Sequence, residues 1–124
     1  PGALAMMTTP DAVPGFESIL PDEPVGWEPE VPARIIAQMR ADRPIRRAHL
    51  VSCPLLVCVC ERDAIMPVGP AVAVAHHAPR GELRCYPIGH FDLFSHPWFD
   101  RVADDQIAFL NRALHPPSQQ EVRP

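Results

Sequence analysis

The chain contains no lysine: all 11 of its basic side chains are arginine. Lysine nucleophiles and Schiff-base chemistry are therefore excluded from this segment. The imbalance between acidic and basic side chains is also small. The net value is −4 with histidine neutral, so no strong basic field exists to hold nucleic acid or an anionic membrane surface. No apolar run approaches the roughly 20 residues that a membrane-spanning helix requires. Cysteine is limited to 4 residues, at positions 53, 58, 60 and 85, and their placement is not that of a disulfide framework. Cys58 and Cys60 share one face of an expected strand, where thiols serve as small apolar groups. A metal site built from Cys58, Cys60, Cys85, His76 and His77 would use a Cys-x-Cys spacing unusual for zinc. No metal or cofactor is expected, and reduced thiols point to a cytoplasmic location.

Proline is abundant, at 17 residues. Pro10, Pro14, Pro21, Pro24, Pro29 and Pro32, with Gly15 and Gly26 between them, predict irregular structure without a helix of normal length over residues 1–32. Met6, Met7, Phe16, Ile19, Leu20, Val25 and Trp27 predict that this segment packs on something. Residues 3–8 suit a short strand, residues 16–20 a helical turn, and residues 32–43 a short helix that Pro44 ends. Arg43, Arg46 and Arg47 read as a charged connector. The chain opens on Pro1-Gly2-Ala3, which predicts an internal position in a longer protein.

Beyond residue 50 the pattern becomes regular. Residues 54–60 are a continuous β-forming apolar run, the signature of a strand buried on both faces of a parallel sheet. Residues 69–78 read as an Ala-rich helix. Residues 82–87 alternate polar and apolar and read as a second strand closed by Pro87. Residues 97–114 read as the longest helix, with Phe99, Ala103, Ile107, Leu110 and Leu114 forming its apolar stripe. Residues 116–124 read as a disordered polar tail. The order strand, helix, strand, helix predicts an α/β fold with parallel strands and flanking helices. Two strands cannot stabilise such a sheet alone, so the pattern calls for strands supplied from elsewhere.

Ligands in open α/β sheets bind at the carboxyl ends of the strands. Asp63 follows the first strand in Glu61-Arg62-Asp63-Ala64-Ile65-Met66-Pro67, and His90 follows the second in Ile88-Gly89-His90-Phe91-Asp92. Adjacent parallel strands bring these loops side by side. A carboxylate can then set the imidazole tautomer and leave the other ring nitrogen as a general base. The geometry predicts a hydrogen bond of about 2.6–3.2 Å between them, with the second nitrogen facing an open cleft. Asp92 reads as a turn-former in the His90 loop. Phe91 and Phe94 read as its anchors in the core. Ser95 reads as a helix-cap residue, and His76, His77, His96 and His115 as surface residues.

The stretch from Cys53 to Leu114 resembles the C-terminal third of an α/β-hydrolase. Asp63 with Pro67 matches the acid loop, Gly89-His90 the histidine loop, and residues 97–114 the closing helix. The resemblance implies that residues 51–115 are the C-terminal part of a hydrolase core and that the Pro-rich residues 1–50 are a cap-like or lid-like segment. It also implies catalytic roles for Asp63 and His90 and no cofactor. Members run in the order nucleophile, acid, histidine. This chain carries the last two; Gly-x-Ser-x-Gly is absent, and Ser18, Ser52, Ser95 and Ser118 do not stand at a strand-to-helix elbow. The implied function is that of a C-terminal fragment of a serine-type hydrolase, inactive alone, acting in the intact enzyme on an ester, thioester or amide bond of a small molecule. The alternative is a catalytically inactive truncated module that binds or oligomerises through its open sheet edge. Either reading predicts self-association or pairing with the missing N-terminal part.

Overall fold

Branched and sulfur-bearing side chains dominate Leu55–Cys60, and this run forms strand β1. Strand β2 spans Gly81–Tyr86 and pairs with β1 in parallel, in a register that sets Leu55 against Gly81 and Cys60 against Tyr86. The computed structural model describes residues 7–22, 26, 30–32, 34, 35, 38 and 43–115. Among them are three α-helices longer than a turn: α1 at Ala12–Ile19, α2 at Val68–His77 and α3 at Trp98–Leu114. Short 3-10 segments occupy Pro44–Leu50 and Asp92–Phe94. The architecture is α/β, a small parallel sheet flanked by helices.

The two helices after the strands take opposite faces. Cys58 and Cys60 point toward α3, where Cys60, Tyr86, Ile88 and Val102 form a buried cluster edged by Cys58, Leu93 and Trp98. Strand alternation turns Val57 and Val59 to the other side, where α2 packs on both strands. A Cβ on Gly81 would collide with the Ala75 carbonyl of α2, so glycine lets β2 start directly beneath that helix. All four cysteines are free thiols, with Cys60 buried and Cys53 and Cys85 exposed. No helix among the described residues is long and apolar enough to cross a membrane.

Several expectations need correction. Residues 12–19 form a helix despite Pro14, because that proline sits in the first turn, where its missing N–H removes no helical bond. β1 is less enclosed than a central strand: only Val59 and Cys60 are buried, since β2 is its one partner among the described residues. The α3 stripe is reversed. Phe99, Ile107, Leu110 and Leu114 are exposed, while Val102 and Phe109 are buried. Ser95 is not a side-chain cap; α3 begins after Pro97, and Ser95 contributes its carbonyl, to the Phe99 N–H. Phe91 is buried as expected, whereas Phe94 is 51% exposed. Of the expected helix over 32–43, Arg34, Ile35 and Gln38 are described and helical. Pro32 and Arg43, at its two expected ends, are described and not helical, while residues 33, 36, 37 and 39–42, the expected strand over 3–8 apart from Met7 and Thr8, Trp27 and the 116–124 tail lie outside the described residues.

Candidate functional site

The sheet does not stop pairing where its strands end. The Glu61 N–H donates to the Tyr86 carbonyl at 2.8 Å, and the Arg62 N–H donates to the Ile88 carbonyl at 3.0 Å. These bonds hold the two following loops together on one edge. The Asp63 N–H turns back to the Cys60 carbonyl at 3.1 Å, which aims the Asp63 side chain across toward the second loop. In that loop the Gly89 N–H donates to Asp92 Oδ2 at 2.7 Å, closing a tight turn around His90.

Asp63 and His90 meet. Asp63 Oδ2 lies 2.8 Å from His90 Nδ1, and Asp63 Oδ1 accepts the Ile65 and Met66 N–H groups at 2.8 and 2.7 Å. The Asp63 side chain is 10% exposed and the His90 ring 27% exposed. Burial pushes the Asp63 carboxyl up. The Met66 N–H, the His90 hydrogen bond, the Ile65 N–H and the His90 charge outweigh it, so the group sits below its ordinary value. An ionised carboxylate only accepts hydrogen bonds, so His90 Nδ1 must be the proton-bearing nitrogen. In the neutral ring Nε2 then carries the lone pair, and among the described residues it has no hydrogen-bond partner. Such a ring can take a proton at Nε2 while the adjacent carboxylate stabilises the resulting imidazolium.

A second His–Asp pair shows what burial adds. His96 Nδ1 and Asp100 Oδ2 are 2.7 Å apart, but their side chains are 77% and 60% exposed, a pairing between the segment just before α3 and its first turn, in water. His76, His77 and His115 are likewise exposed. Two surface depressions lie away from the pair, one along Trp98, Arg101 and Asp105, the other along Arg80, Glu82 and Arg112. The expected cleft at His90 is therefore not formed by either. No group of three or more His, Cys, Asp or Glu among the described residues is placed to hold a metal ion.

Sequence reasoning missed the ring packing around His90. Phe91 stands edge-on to the His90 ring, with centroids 5.1 Å apart, and Phe16 of α1 stands edge-on to Phe91 at 5.6 Å. The available signal was Gly15-Phe16 in an otherwise proline-broken apolar stretch.

One curated relative frames these observations. Over 113 residues the chain is 33% identical to the quorum-quenching protein AidA of Acinetobacter baumannii (strain MDR-ZJ06). The match covers 91% of this chain, which spans 37% of the length of that relative. No family model matches the chain. No solved structure matches it either.

Proposed function

We propose that this chain is the C-terminal part of a serine-type α/β-hydrolase that cleaves an ester, thioester or amide bond in a small molecule. The observation that carries the reading is the Asp63–His90 hydrogen bond at the carboxyl ends of two adjacent parallel strands. In the intact enzyme Asp63 orients His90. His90 Nε2 takes the proton from a serine supplied outside this chain and returns it to the leaving group. The likeness to AidA supports a hydrolytic reading in which the substrate is a small signal molecule with a cleavable bond.

The test uses the longer protein that carries this segment together with its nucleophile, assayed on acyl esters and amides of graded chain length. His90→Ala and Asp63→Asn are each expected to lower kcat by about 10⁴-fold while the fold survives. The 124-residue chain alone is expected to hydrolyse nothing above a buffer control. Full activity in the His90→Ala protein would overturn the assignment. The second reading, a catalytically silent module that associates through its open sheet edge, is favoured by the exposed apolar side of α3. It predicts that the association of the chain is indifferent to His90→Ala.

A further inference from the structure

The segment before the sheet touches the candidate site at one definite place. α1 turns Ala12, Gly15 and Phe16 inward while Val13 and Ile19 stay exposed. Gly15 is the contact point. A Cβ there would overlap the Cγ, Cδ2 and Cε2 atoms of Phe91, so the ring lies directly on the helix backbone. Phe16 closes on the same ring from the side, with an interplanar angle of 65°. Phe91 in turn adjoins His90 in sequence and stands against its ring at 78°. The residue on the other side of Phe91 is Asp92, which fastens Gly89. The loop from Gly89 to Asp92 is therefore held from within by the Asp92 carboxylate and from outside by α1.

We propose that Gly15 and Phe16 are positioning residues for His90, acting through Phe91, so that the seating of α1 controls how well the imidazole is aligned on Asp63. The ring orientation is the quantity that α1 governs. With Phe91 seated, His90 presents Nδ1 to Asp63 and keeps its proton there. With Phe91 displaced, the imidazole gains rotational freedom and the single tautomer is lost. Gly15 is the sensitive position because only a residue without Cβ admits the ring so close. The consequence for turnover rests on the hydrolase reading of His90; the alignment itself does not.

Long-range proton–nitrogen NMR on the uniformly labelled 124-residue chain reads the tautomer of each imidazole directly. In the wild type His90 is expected to show one tautomer, with the proton on Nδ1 and a slowly exchanging Nδ1–H. Gly15→Ala should move both His90 nitrogen signals toward tautomer-averaged values and abolish the slow Nδ1–H, leaving the His96 signals unchanged. Phe91→Ala, which removes the ring between α1 and His90, should shift His90 in the same direction, and Gly15→Ala added to it should shift His90 no further. Phe16→Ala introduces no clash and should shift His90 in the same direction as Gly15→Ala. Unchanged His90 signals in folded Gly15→Ala and Phe16→Ala proteins would overturn the proposal, as would a further His90 shift when Gly15→Ala is added to Phe91→Ala. Global unfolding of both single variants would also overturn it, since α1 would then be supporting the whole fold. A fixed His90 tautomer in a longer protein that hydrolyses nothing would sink the hydrolase reading alone.

Discussion

Asp63 and Asp105 are both half-buried carboxylates, and each accepts a hydrogen from a side chain distant in sequence. Asp63 takes His90, 27 residues on, and Asp105 takes the Tyr86 hydroxyl, 19 residues back, at 2.8 Å. The second contact ties α3 to the sheet and fixes the titration of the chain's single tyrosine. Burial pushes the Tyr86 hydroxyl well above its ordinary value of about 10, and the Asp105 carboxylate holding its proton pushes it further. The folded protein thus holds this proton more tightly than the unfolded chain does. The stabilisation is whole below about pH 10 and is lost as pH rises through the folded-state value. Tyrosinate absorbance is expected to stay flat through pH 10 and to rise together with loss of structure. Asp105→Asn should bring that rise to lower pH. Ionisation near pH 10 in the still-folded protein would contradict the assignment.

At the scale of the element, α3 has two apolar arcs. Trp98, Val102 and Phe109 repeat at helical spacing on one side, with Asp105 in the same row; Phe99, Ala103, Ile107, Leu110 and Leu114 repeat on another. Periodicity identifies both arcs but does not rank them. The row that wins carries two large aromatic rings and the one carboxylate that can take the Tyr86 proton, so it satisfies a buried hydroxyl while burying more area. Asp100 in the first turn and Arg112 in the last match the helix dipole in either orientation. Phe109→Ala is therefore expected to destabilise the chain by about 3 kcal/mol. Leu110→Ala should cost less than about 0.5 kcal/mol when measured by denaturant titration at high dilution. Equal costs would mean that the helix turns its other face inward in solution.

For the whole molecule, the exposed arc of α3 and the free edges of a two-stranded sheet leave apolar surface and backbone donors without partners among the described residues. Phe99 is 48% exposed, Ile107 55% and Leu114 70%, all on one helix. We propose that the isolated chain covers this surface with a second copy. Sedimentation should show concentration-dependent self-association, weakened by Ile107→Glu and Leu110→Glu together without loss of helical signal. A monodisperse monomer with a cooperative thermal transition would show instead that the chain is a self-sufficient domain.

The local pattern of the sequence determined the order of elements from residue 54 to 114, because apolar runs, alternation and proline punctuation are properties of neighbouring residues. It also determined that Asp63 and His90 follow successive strands, and a parallel arrangement makes their meeting a matter of strand spacing. Gly89 and Asp92 were legible as a turn for the same local reason. Only the tertiary structure decided which arc of α3 faces the sheet, since that depends on where Tyr86 places its hydroxyl. The structure alone also brought α1 onto Phe91. Pro14 and Gly15 read locally as helix breakers, yet one falls where a helix tolerates proline and the other where a ring must touch the backbone. Such contacts join residues far apart in the chain, and local propensity carries no information about the partner that will press against them.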